Sequence, residues 1–360
     1  MSYETYFPEQ RHILALAAIR RERFLPERAI GEVEARGGEK VDLRDVVARG
    51  AIPARYLMID AAGFFGLKDT DDLKPMMKVW EGARVEARQV LAGKPNGRGK
   101  KLLSPVAGVV AHVGDGRIIL EETPEIIEVE AGLTGQVVDI EEGRGVVIET
   151  SGAVLQGVWG NNRLQIGTLR AEPSDGLESV GDEMNMQFRG TVVLSRRPLR
   201  AAGLRVAQAQ SLSGVIAPSM DVSLIDRARE LRSAVLLTEG FGAIRMSSFV
   251  FGFLEGLIGK QTTVDALDAD RIGARRPEII VNLPVRSGQR PPEPDLNLTL
   301  KPGINVRITR GDHAGMVGAV AHLPKTPYLL ENGLRVPCAQ VQLSAGESAF
   351  VPLANLEVFG

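Results

Sequence analysis

The residues best placed to do chemistry stand at the ends of three short apolar runs. Thr191 to Leu194 leads into Ser195-Arg196-Arg197, Gly214 to Pro218 leads into Ser219-Met220, and Ala234 to Leu237 leads into Thr238-Glu239-Gly240-Phe241-Gly242. Short, continuously apolar runs suit strands buried on both faces, and parallel sheets bind ligands beyond the carboxyl ends of their strands. Ser195, Arg196, Arg197, Ser219, Thr238, Glu239, Gly240 and Gly242 would then combine guanidinium groups, hydroxyls, a carboxylate and permissive glycines, a set suited to a small anionic ligand. No Gly-x-Gly-x-x-Gly follows the first run and no Walker pattern occurs, so nucleotide binding has no motif behind it.

Two further groups are basic. Arg307, Arg310 and His313 stand on or beside a glycine-bearing turn in Leu300 to Val320, and guanidinium groups pair bidentately with phosphate. Lys94, Arg98, Lys100 and Lys101 crowd another glycine-rich loop, able to dock phosphate or an acidic protein surface. Catalysis has little to stand on. The four histidines, His12, His112, His313 and His322, lie in separate segments without cysteine or carboxylate partners at metal-ligand spacing, and there is no Gly-x-Ser-x-Gly. We expect no metal, no cofactor and a binding role rather than an enzymatic one.

The bulk numbers agree with a folded chain of two or three domains. It has 360 residues, 44% of them hydrophobic, and forty glycines that suit many turns between short strands. A net charge of −2 supplies no global field toward nucleic acid or acidic lipid, so any such binding must be local. Cys338 is the lone cysteine and rules out an internal disulfide. No stretch approaches ~18 uninterrupted apolar residues, which leads us to expect a cytoplasmic protein without membrane contact.

Five segments position these residues. Residues 1–30 read as a helical lead-in, with helical spacing from His12 that breaks at Pro26. Residues 31–170 contain two echoes. GEKVDLRDVVA from Gly38 recurs as GARVEARQVLA from Gly82, forty-four residues on, and SPVAGVVAHVGDGR recurs as GLTGQVVDIEEGR with Gly108, Val110 and Arg117 matched by Gly135, Val137 and Arg144 at an offset of twenty-seven. Such short β units are expected to pair into one compact module. Residues 190–285 alternate strand and helix, with PLRAAGLRVAQAQ and DVSLIDRARELR as crossovers, an apolar helix at Met246 to Gly259 and another strand at Glu278 to Pro284. Residues 286–298 are a Pro-rich linker, and 299–360 form the terminal unit.

Two of these segments resemble known families. Gly303, Val306, Ile308, Gly311, Gly315, Gly318 and Val320 resemble the KOW motif, in which two strands and a glycine turn open an SH3-like barrel that VPLANLEVF would close. The run EGARVEARQVLAG from Glu81, the basic spacer Lys94 to Lys101 and SPVAGVV from Ser104 resemble the barrel-sandwich hybrid fold shared by lipoyl and biotinyl carriers and by RNA polymerase hybrid motifs, a resemblance that covers roughly Gly31 to Leu169. Lys78 precedes Gly82, the wrong order for a carrier lysine. The fold class that follows is multi-domain and mainly β, with hybrid modules, a Rossmann-like parallel α/β part and a KOW barrel. Both resemblances imply a non-enzymatic adaptor contacting ribosome, RNA or RNA polymerase. The alternative is a sensor or enzyme for a small anionic ligand at the strand ends.

Overall fold

In the computed structural model, which describes residues 9–94, 97, 99–267, 276–285, 291–295, 298–343 and 346–359, the three apolar runs are neighbouring parallel strands. Thr191–Leu194 lies beside Gly214–Met220, which lies beside Ala234–Phe241. Their alternate residues serve two layers. Val193, Val215 and Val235 pack with Leu204 and Val206 of helix Ala201–Ala209 and with Ala228 of helix Ile225–Glu230. Val192, Ile216 and Leu236 pack on the opposite face with Val250 and Leu254 of helix Ser248–Glu255. Because both faces are covered, these runs show no polar alternation. Leu164–Ala171 extends this sheet in parallel, and Gln261–Asp265, Glu278–Asn282 and Gly145–Gln156 continue it antiparallel. The chain is mainly β, with several sheets.

The amino-terminal segment departs from expectation. The residues read as a helix from His12 instead form strand Ile13–Phe24, paired antiparallel with Gly145–Gln156. Helix propensity is a weak prior, and a long partner strand overrides it here. Ala17, Ile19, Arg23 and Leu25 are buried, a period of two. Two arginines of RRER are tolerated inward because acids meet them: Arg23 lies 3.1 Å from Asp265, and Arg21 pairs with Glu278. In the proline-rich segment, Pro292 accepts a hydrogen bond from the Ala18 N–H at 2.9 Å, which docks that stretch on the same strand.

The two sequence echoes are halves of two nested copies of one unit. Val41 of the first copy stands opposite Gly135, and Val85 of the second stands opposite Gly108. Equivalent hydrogen bonds recur. The Gly38 N–H donates to Val137 O at 2.9 Å and the Gly82 N–H to Val110 O at 2.7 Å, while Ala131 donates to Asp45 O and Ser104 to Gln89 O at 2.8 and 2.7 Å. Both hairpins carry a bulge at the matching place, after Val110 and after Val137. Glycine is required at 108 and 135, because a Cβ there would run into the carbonyls of Glu121 and Glu149 across the sheet. One core gathers Val41, Val47, Leu133, Val137 and Ile148, and the other Val85, Leu91, Leu102, Val110 and Leu120. The second copy is inserted between Val46–Ile52 and Glu125–Glu130, the antiparallel pair that leads into it.

The last unit is a sheet in the order Glu9–Arg11, Leu356–Phe359, Asn305–Ile308, Val317–His322, Cys338–Leu343, Ser348–Pro352. Val306, Ile308, Val320, Val341, Val351 and Val358 fill its core. Gly311 and Gly315 turn the chain with φ of 93° and 87°, a region in which L side chains are strained. The expected barrel is not closed: among the described residues the two outermost strands do not pair with each other. At one edge Glu9–Arg11 joins parallel to Leu356–Phe359.

Candidate functional site

At the carboxyl ends of the parallel strands, the predicted residues turn to different partners. The Ser195 hydroxyl donates to Glu172 at 2.7 Å and accepts from the Arg197 N–H at 3.2 Å. The Arg196 guanidinium stacks 3.9 Å over the Phe251 ring and pairs with Glu255 at 3.0 Å, whereas Arg197 donates to the carbonyls of Asp175 and Ser174 at 2.8 and 3.1 Å. Ser219 is fully buried with its hydroxyl 2.8 Å from the carbonyls of both Gly242 and Ile244. Gly240 and Gly242, at φ of 120° and 109°, let the chain turn away, and the Gly242 N–H donates to Met220 O at 2.9 Å. A cleft of about 800 Å³ does open nearby, between Arg245–Phe249 and Gly315–Ala319, but none of the eight predicted residues lines it.

Thr238 and Glu239 are buried, and Glu239 faces Arg307 of the terminal sheet. Arg307, expected beside an exposed turn, is therefore an internal residue. Around this pair lies a buried ionic cluster that joins the terminal sheet to the central one. Glu357 accepts from Arg307 at 3.1 Å and from Arg276 at 3.0 Å, and stands 3.8 Å from Arg11. Arg276 also reaches Glu9 at 2.8 Å, and the Arg11 Nε donates to Gln156 O at 2.6 Å. Burial outweighs the neighbouring carboxylates and lowers Arg11 to about 10, with the adjacent cations Arg307 and Arg276 adding to the effect. Burial likewise raises Glu239 above the usual carboxylate value, although Arg307 and Arg11 partly offset it. Sequence reasoning passed over Arg11, Arg276 and Glu357. The available signal was a charged residue inside an apolar strand, as in Leu356–Phe359.

Arg310 and His313 come together elsewhere. They line a cleft of about 690 Å³ with Asp312, the segment Tyr328 to Asn332 and strand Ser348–Pro352. Across it the Tyr328 and Phe350 rings stack with centroids 4.0 Å apart and planes 9° from parallel. Tyr328 and Leu329 are exposed, so the cleft has an apolar lip beside an exposed guanidinium. Such a surface can stack a planar group and pair an anion.

The basic loop is a third, separate place. Lys94, Lys100 and Lys101 are exposed between strands Val90–Gly93 and Lys101–Leu103, with the Lys100 ammonium 6.0 Å from the Phe64 ring. Arg98 lies outside the described residues. Among the described residues no group of three His, Cys, Asp or Glu side chains gathers as a metal site, and no helix is long and apolar enough to cross a membrane. No family model matches the chain, and no curated protein matches it.

Proposed function

We propose that this chain is a non-enzymatic cytoplasmic adaptor that docks a component of the transcription or translation machinery through the Arg310–Tyr328–Phe350 cleft. The observation that carries the reading is the stacked Tyr328–Phe350 pair beside Arg310 and His313, since rings and guanidinium groups are what unstacked bases and phosphates engage. The strand order supports it. A meander from Asn305–Ile308 to Ser348–Pro352 passes one 3₁₀ turn, Leu353–Asn355, and returns as Leu356–Phe359 beside the first strand. That connectivity is SH3-like, and the left-handed Gly311 and Gly315 suit a KOW turn. The nested copies fit paired barrel-sandwich hybrid modules, and the parallel strands fit a Rossmann-like part that serves as the scaffold between them.

A small anionic ligand at the strand ends has less support, because Arg196, Arg197 and Glu239 are each engaged by a different neighbour. The test is affinity capture from lysate with the intact chain and with Tyr328→Ala/Arg310→Ala, each with and without nuclease. The intact chain should recover ribosomes, polymerase or RNA, and the variant should not. Recovery of none of these, or equal recovery by both, sinks the reading.

A further inference from the structure

We propose that a second surface, the outer face of the three-stranded sheet Ile30–Val33, Val46–Ile52 and Glu125–Glu130, docks a basic protein segment carrying an apolar side chain. In this sheet Ile30 stands opposite Ala51, and Ala51 opposite Ile126, so the three form one cross-strand row. The two isoleucines are 74% and 75% exposed. Between them the small Ala51 leaves a notch with an apolar wall on each side. The sheet's other face is occupied, for Gly31 and Gly50 lie against Leu25 and Val33 packs on the first module's core. The outer face is thus the one an antiparallel sheet normally gives to water, and water is a poor partner for two isoleucines in line.

The flanking charges name the partner's chemistry. The next row is Glu32, Arg49, Glu128. Arg49 is held by Glu34 at 2.9 Å and Glu128 at 3.0 Å. Glu32 and Glu130, both exposed, have no ion pair among the described residues. Arg44, exposed, lines one cleft with Glu128 and Glu130, so four carboxylates stand against two guanidinium groups, an excess of negative charge that repels a phosphate backbone and attracts lysine or arginine. An apolar side chain from the partner fills the notch over Ala51 while its basic neighbours meet Glu32 and Glu130. This face is distinct from the cleft of the terminal sheet, and it requires nothing of that cleft.

The experiment is fluorescence anisotropy of the full chain with a labelled short peptide of alternating lysine and leucine. Ile30→Ser/Ile126→Ser removes the notch walls, and Glu32→Lys/Glu130→Lys reverses the flanking charge. Glu141→Lys/Glu142→Lys makes the same charge change in a turn of the same module. All six positions are partly or fully exposed, and circular dichroism checks that each variant keeps its fold. The first two variants should weaken binding by about tenfold or more, and the turn variant by less than about twofold. A lysine–serine peptide should bind about tenfold more weakly than the lysine–leucine one. Absence of lysine–leucine binding, equal loss in the turn variant, or loss of RNA binding on Ile30→Ser/Ile126→Ser would each overturn the proposal.

Discussion

Replacing Glu357 by glutamine should detach the terminal sheet while leaving the central sheet intact. The Glu357 side chain is 2% exposed and lies within 3.1 Å of Arg276 and Arg307 and 3.8 Å of Arg11, so water cannot substitute for it. With Glu239 it balances most of the charge of three guanidinium groups. Glutamine keeps the shape and one acceptor, but it leaves those three cations facing Glu239, with only the exposed Glu9 at the rim. Removing one partner of a buried pair costs ~3–5 kcal/mol, chiefly through the charge left unpaired. The exposed Arg196–Glu255 pair gives the contrast, since Glu255→Gln should cost at most ~1 kcal/mol. A chain of several units does not unfold in one step, so the assay must be local. Amide exchange should show opening free energies lower by ~3–5 kcal/mol in Val306–Ile308 and Leu356–Phe359, with Val192–Leu194 and Val215–Ala217 unchanged. Replacing Arg307 by Met together with Glu357 by Leu should recover only part of the loss, because Arg11 and Arg276 still lose Glu357. Protection within ~1 kcal/mol of the wild type in Glu357→Gln, or an equal loss across the central sheet, would refute the view that this cluster fastens the two sheets.

Three other outcomes follow from the geometry. Tyr328→Ala removes the exposed ring offered to an unstacked base, a contact worth ~1–3 kcal/mol, so partner binding should fall about fivefold or more with unchanged circular dichroism. Because burial raises Glu239 above its unfolded value near 4.5, the folded chain takes up the proton more readily. Its contribution is therefore full below pH 4.5 and is lost as pH rises through the folded value, so the wild type should gain stability relative to Glu239→Gln as pH falls from neutrality, and thermal melts showing the opposite trend would exclude it. Gly108→Ala and Gly135→Ala should each cost about 1–3 kcal/mol by forcing a Cβ onto a facing carbonyl, with local exchange in the two modules reporting similar losses.

What the sequence disclosed depended on how local the cause was. The parallel strands were legible because Val192, Val193, Val215 and Leu236 carry burial on both faces in consecutive letters. The amino-terminal strand was not, since ALAAIRR favours a helix in isolation and only pairing with Gly145–Gln156 decides otherwise. Arg307 and Glu239 were each read as surface groups for the same reason. Their burial depends on each other, sixty-eight positions apart, and no local pattern reports an ion pair across two sheets.

The repeats are the instructive intermediate case. Both offsets, forty-four and twenty-seven, are plain in the letters, yet taken separately they read as two independent duplications. The pairing of Val41 with Gly135 and of Val85 with Gly108 shows that the four pieces run in the order first half, first half, second half, second half, the outer two enclosing the inner two. An order of that kind cannot arise from tandem copying, which would place each second half next to its own first half, so a complete unit must sit inside a loop of the other. The place of insertion then explains a surface feature. The ribbon that carries the inner copy leaves the outer copy through Val46–Ile52 and Glu125–Glu130, the strands that hold Ala51 and Ile126, so the exposed row lies at the end of that ribbon nearest the inner copy. A partner bound there would touch the junction between the copies, and anisotropy of that binding would then respond to changes at Pro53 and Pro124, where the ribbon passes from one copy to the other.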